Sequence, residues 1–282
     1  MKQRPILPTI LHHVLLAVLT VIWLTPILWL VLTSFGVDEG PNLRTFFPEE
    51  YTLSHYRELL FSQDSVSNFP QWFLNTLIIA AFSCVISTAF VLMTAYAMSF
   101  LLFRGRKALM HAAVILNLFP GFLAMIAVYF ILREAGLTNS LFGLVIVYSA
   151  SAGVDYLIAK GFFDTVSRSL REAAYLEGAN EFTVFWQIVL PLARPIVVYT
   201  VINSFLYPWM DFIYASLILS SGISADKTVA LGLFSMVDKV NRNRYYAQFC
   251  AGGVIVSIPI SILFIIMQRF YVEGVTAGGV KG

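Results

Sequence analysis

Long apolar stretches separated by short polar islands dominate this chain. No Asp, Glu, Lys or Arg occurs between Asp64 and Arg104, between Glu134 and Asp155, or between Arg244 and Arg269. A water-soluble core does not need runs of that length, whereas a helix crossing a bilayer needs about 20 apolar residues. The pattern predicts six spans, near residues 11–33, 73–100, 109–131, 141–160, 196–218 and 247–270. Helices are expected because lipid leaves loose backbone groups unsatisfied, and no strand-length alternation marks a barrel. The first span is too long for a signal peptide and lacks a small-x-small cleavage site, so it is expected to be retained. The expected fold is therefore all-α and integral to the membrane, with residues 1–282 forming a single transmembrane domain.

Charge then orients the chain. With the N-terminus inside, Lys2, Arg4, Arg104, Arg106, Lys107, Lys160, Arg168, Arg171, Arg194, Arg269 and Lys281 fall on the cytoplasmic side, eleven of the eighteen basic residues. Arg104-Gly105-Arg106-Lys107 is a tight basic turn between two spans, a strong retention signal. The first outer loop holds Asp38, Glu39, Glu49, Glu50, Glu58 and Asp64. Both termini are expected inside, in a multi-pass protein of a bacterial cytoplasmic membrane. The formal net charge of +2 is spread over membrane flanks, so it does not suggest nucleic acid.

Composition narrows the chemistry further. Hydrophobic residues are 59% of the chain and charged residues 12%, against roughly a quarter charged in soluble proteins. No G-x-x-x-x-G-K-[ST] stretch is present to cradle ATP phosphates, and no H-E-x-x-H or paired C-x-x-C marks a metal site. Cys84 and Cys250, inside separate spans, read as packing residues rather than a disulfide. No enzyme, bound cofactor or metal is expected on this chain.

One polar, helix-prone island stands out between the fourth and fifth spans. Its 35 or so residues far exceed a tight helix–helix turn. It carries Glu172-Ala173-Ala174-Tyr175-Leu176-Glu177-Gly178, followed by Ile188-Val189-Leu190-Pro191. Ser167 or Ser169 can cap a first short helix, with Glu172 in its first turn, where the helix dipole favours an acid. Gly178 permits a sharp exit. Phe182 to Val189 suit a second amphipathic helix, and Pro191 and Pro195 mark the entry into the fifth span. Ala173 and Ala174 would form a smooth face for close approach, with Arg171 and Glu172 setting register. An interfacial hairpin on lipid headgroups, seated by Phe182, Phe185 and Trp186, is the alternative.

The spacing of Glu172, Ala173, Ala174, Gly178, Ile188, Leu190 and Pro191 resembles the cytoplasmic EAA loop of permease subunits in binding-protein-dependent ABC importers. The Gly161–Pro195 segment, the Trp209-Met210-Asp211 region and the outer Phe46-Phe47-Pro48 segment resemble the carbohydrate branch of that family. The ending Thr276-Ala277-Gly278-Gly279-Val280-Lys281-Gly282 is similar to that of the smaller permease of maltose/maltodextrin importers. The resemblance implies the type I ABC importer permease fold and a sugar cargo, malto-oligosaccharide or related. It also implies a heterodimer with a second, homologous permease, two cytoplasmic ATPase subunits that bind ATP-Mg, and an extracytoplasmic sugar-binding protein. The EAA residues would then couple to the ATPase, and Thr276, Gly278, Gly279 and Lys281 are candidates for a tail contact with it.

The cargo path is fainter. Asn203, Tyr207, Asp211 and Tyr214, at i, i+4, i+8 and i+11, would share one face of the fifth span, facing either a water-filled cavity or a neighbouring helix. Asp155, in the fourth span, is expected to pair with Lys160 or Arg194 rather than to form part of a gate. Pro120-Gly121, after Asn117, should kink the third span. Thr52 to Phe61 is expected to be a short outer helix capped by Ser54, and the Gly-rich tail after Glu273 a flexible segment. An ion-coupled secondary transporter or a non-transporting membrane scaffold are the other classes, but no inverted repeat or embedded relay favours the former.

Overall fold

The computed structural model describes residues 6–37, 40–41, 46–61, 67–150, 155–223 and 226–279, with side chains described only within 11–268. Among them the regular structure is helical, with a single isolated bridge between Gly36 and Tyr51. The backbone separates into two compact units, residues 1–70 with 232–258, and residues 71–231 with 259–282.

The first unit begins with α1 (Ile6–Phe35). Residues 11–28 of this helix are exposed, a mostly apolar surface. Only its last turn is buried, at Thr33 and Ser34. There Ser34 Oγ lies 2.7 Å from the Tyr56 hydroxyl, and His55 Nε2 lies 2.8 Å from the Gly36 carbonyl. These contacts dock α2 (Ser54–Phe61). The expected Ser54 cap is not the one used: Thr52 Oγ1 accepts the Ser54 N–H at 3.0 Å, because the helix starts at Ser54 itself. Leu59 of α2, Phe69 at the start of α3 (Phe69–Phe100) and Leu233 of α12 (Val229–Met236) converge on Gly252 of α13 (Arg242–Gly279).

The second unit holds the rest of α3, then α4 (Arg106–Asn117), α5 (Gly121–Glu134), α6 (Leu141–Ala150), α7 (Asp155–Phe163) and α8 (Arg168–Leu176). After these come α9 (Glu181–Leu192), α10 (Arg194–Met210) and α11 (Ile213–Ile218). By length and composition α1, α3 and α13 are each able to cross a membrane, and up to six spans result if each bent pair counts as one. The expected kink at Pro120 is a break: α4 and α5 meet at 103°, since Pro120 donates no N–H and its neighbours leave the helical register. The fifth span is also interrupted. α10 ends at Met210 and α11 starts at Ile213, so the four residues from Asn203 to Tyr214 do not share one continuous helix face. At the far end α13 stays helical through Gly279, where a flexible tail is expected; Lys281 lies outside the described residues.

Candidate functional site

The polar island folds into two short helices, the second at nearly a right angle to the helix that follows. Ser167 caps α8, its Oγ accepting the Ser169 N–H at 3.3 Å. That start puts Glu172 beyond the first turn, so the expected dipole contact is lost and the Glu172 side chain is exposed. α8 ends in a Schellman arrangement: Ala179 N–H reaches the Ala174 carbonyl at 2.9 Å and Gly178 N–H the Tyr175 carbonyl at 3.0 Å. Gly178 sits at φ +87°, and a Cβ there would meet no atom, so its backbone conformation rather than space demands glycine.

Asn180 then caps α9, its Oδ1 accepting the Thr183 N–H at 2.8 Å. The middle of α9, Val184–Val189, is π-helical, with Leu190 N–H bonding back to the Phe185 carbonyl. Such widened turns recur at functional positions. α9 and α10 meet at 87° just after Pro191 and Leu192.

Arg171 holds this corner together. Its guanidinium donates to the Phe100 carbonyl at 3.0 Å, to Glu181 Oε1 at 2.6 Å and, through Nε, to the Tyr175 hydroxyl at 2.9 Å. Tyr96 of α3 donates to the other oxygen of Glu181 at 2.5 Å. One cation thus ties the ends of α3, α8 and α9, and it lies 5.9 Å from the Phe100 ring centre and 5.0 Å from that of Tyr175. Burial alone would raise the Glu181 carboxyl; bonds from Tyr175, Tyr96 and Arg171 outweigh it and hold the group below the usual glutamate range. Below this lattice, Ala174, Val184, Val189 and Ala193 enter one core with Tyr96, Phe100, Tyr156 and Phe163, against which Ile188 and Leu190 pack.

The motif residues therefore divide. Ala174, Ile188 and Leu190 face inward, while Glu172, Ala173, Gly178 and Pro191 are exposed. Ala174 does not share an outer face with Ala173, because residues one apart diverge by about 100° around a helix. The outer face instead presents Leu170, Ala173 and Leu176, three apart, with Leu176 91% exposed. Neither Glu181 nor Tyr96 stood out in the sequence. A carboxylate directly after a capping Asn was the only local signal for Glu181.

A second feature is a cavity of about 540 Å³ lined by residues that include Ser87, Asn117, Tyr148, Asp155, Tyr199, Asn203, Ser204 and Tyr207. Two of the expected path residues, Asn203 and Tyr207, are among them. Asp211 stands behind: its Oδ2 accepts the Tyr148 hydroxyl at 2.7 Å and the Ala215 N–H at 3.0 Å, capping α11. Tyr214 is not in the lining. Asp155 does not make the expected pair with Lys160, which binds Asp164 Oδ2 at 2.5 Å just past the end of α7. Cys84 and Cys250 are free and buried.

The profile of the family described as "Binding-protein-dependent transport system inner membrane component" matches residues 92–276. The galactooligosaccharides transport system permease protein of Bacillus subtilis is 34% identical, over 100% of this chain and 99% of its own length. The maltose/maltodextrin transport system permease protein of Vibrio vulnificus is 33% identical, over 96% of this chain and 95% of its own. Among solved structures, a bacterial ABC transporter involved in the import of the acidic polysaccharide alginate superposes with a TM-score of 0.78. It is 24% identical and covers 94% of this chain and 96% of its own.

Proposed function

The chain belongs to the family of inner membrane components of binding-protein-dependent transport systems, and from that premise we propose that it is the permease half of an ATP-driven oligosaccharide importer. It is a multi-pass permease subunit of the type I fold. Its cargo is a malto-oligosaccharide, a galactooligosaccharide or a close relative, as the names of its full-length relatives suggest. A second, homologous permease completes the pathway, a sugar-binding protein delivers cargo from outside, and two ATPase subunits bind ATP-Mg on the cytoplasmic side, where both termini lie.

The α8–α9 corner is the coupling loop. The observation that carries this assignment is the pairing of an open apolar face with a rigid base. Leu170, Ala173 and Leu176 present an uncovered stripe beside Glu172, while Arg171 and Glu181 tie the same helix to the end of α3. A knob seated in an ATPase cleft moves when the ATPase lobes close, and packed helices respond as units. Glu172, Ala173 and Gly178 act at the contact; Ala174, Ile188, Leu190 and Pro191 hold the corner's shape. Thr276, Gly278, Gly279 and Lys281 are further candidates for contact with the same partner. Asn203 and Tyr207 face the cargo path, with Asp211 and Tyr214 supporting it at the α10–α11 break.

Affinity purification of the chain from its host membrane is expected to bring along an ATPase and a second permease, and vanadate is expected to stop uptake in the reconstituted complex. Gly178→Val is expected to leave insertion intact but cut ATP-driven uptake at least tenfold. Uptake that survives vanadate and follows an ion gradient would instead establish a secondary transporter.

A further inference from the structure

Deepening the importer assignment and resting on it, we propose that the cavity beside Asp155 is a carbohydrate subsite within this subunit, built for a neutral oligosaccharide and against a uronate. The polar groups are laid out along its length. On α10, Tyr199, Asn203 and Tyr207 recur every four residues, which sets successive groups about 6 Å apart along one face. From α6 and α7, Tyr148 and Asp155 line the same space, and Ser204 Oγ donates to Ser87 Oγ at 3.3 Å beside them. Such a ladder matches a chain of pyranose rings, each offering hydroxyls on its rim and C–H groups on its faces.

The aromatic pair is held rigidly. Tyr148 and Tyr207 meet edge to face with ring centres 5.2 Å apart, and the Tyr148 hydroxyl is committed to Asp211. The Tyr207 ring, 42% exposed, offers apolar surface to a sugar face, while the buried Tyr148 ring packed against it restricts its rotamers before binding. Asp155 supplies the complementary chemistry. No hydrogen bond or ion pair to it is found among the described residues, and Lys160, the nearest expected partner, is taken by Asp164. An unpaired carboxylate inside a membrane span needs donors, and two neighbouring sugar hydroxyls provide them.

The same site disfavours an anion. No Lys or Arg occurs among its described lining residues, while Asp155 lies in the wall and Asp211 directly behind Tyr148. A uronic acid carboxylate would enter without a counter-charge and face two like charges where solvent screening is weak.

Equilibrium dialysis on the purified transporter complex, without its binding protein, tests this with maltodextrin oligosaccharide, galactooligosaccharide and alginate oligosaccharide as probes. At least one neutral probe is expected to bind, with alginate at least tenfold weaker. Asp155→Asn is expected to weaken neutral binding by about tenfold and Asn203→Leu by about fivefold, the losses typical of hydrogen bonds to a charged and to a neutral group. Alginate binding as tight as either neutral probe, or neutral binding unchanged in both variants, would overturn the proposal. Uptake into proteoliposomes separates this from the importer assignment: ATP-driven uptake with unaltered binding in the variants refutes the subsite alone. Variant-sensitive binding without any ATP-driven uptake supports the subsite and refutes the importer.

Discussion

Arg171 concentrates more of the α8–α9 corner than any residue that the motif contains. Removing its guanidinium releases the Phe100 carbonyl, the Glu181 carboxylate and the Tyr175 hydroxyl together, and the groups left behind lose partners in a partly buried place. Arg171→Met is expected to lower ATP-driven uptake at least fivefold while ATP hydrolysis falls less, because the knob still binds but no longer pulls on α3. Equal losses in both would mean that Arg171 only supports folding. The Glu181 carboxyl adds a pH dependence. Since folding lowers its pKa, its contribution is fully present above the ordinary glutamate value of about 4.3 and fades as pH falls through the lower folded value. Hydrogen exchange in α8 and α9 should therefore stay slow from neutral pH to about 5 and quicken only under stronger acid. Glu181→Gln should abolish that step. Sequence alone marked Arg171 as a register charge, but pairing with residues 71 and 10 positions away leaves no local pattern.

At the scale of elements, close backbone approach decides where substitution is tolerated. An added Cβ on Gly143 of α6 would collide with the Leu137 carbonyl, a backbone atom that cannot rotate away. On Gly252 of α13 it would stand 2.5 Å from Leu233 Cδ2 and 3.2 Å from Phe69 Cε2, both ends of side chains. Gly143→Ala is thus expected to cost more than Gly252→Ala, about 1–3 kcal/mol for the former on the scale of core overpacking. Thermal unfolding midpoints in detergent would rank the two, and a higher cost at Gly252 would contradict the contact geometry. The helical class was legible, and so were a serine cap at Ser167 or Ser169 and the Gly178 exit, since they follow from local periodicity and capping chemistry. The 103° break at Pro120 and the interruption at Asp211 were not, because a proline or an acid states that a helix is disturbed and not by what angle.

For the whole molecule, the C-terminal segment offers a direct check on partner assignment. α13 continues as helix from Arg242 through Gly279, so the described part of the tail prolongs the helix of the last apolar run. If it reaches an ATPase, deleting residues 276–282 should weaken coupling of ATP hydrolysis to uptake while leaving insertion unchanged. Normal coupling in the truncated chain would remove the tail from the interface.

The amino-acid sequence by itself determined the solvent, the helical class and the location of the polar island. Each of these depends on short-range regularities: charge-free runs the length of a bilayer, caps, glycine at a turn and the spacing of a motif. Tertiary structure alone decided which motif residues face outward, that Arg171 binds three elements, and that Asp155 opens into a cavity instead of pairing along its own helix. Those outcomes depend on which distant backbone and side-chain atoms arrive at one point, and pairings across 63 to 85 residues, such as Tyr148 with Asp211 and Tyr96 with Glu181, leave no periodic trace in a single chain.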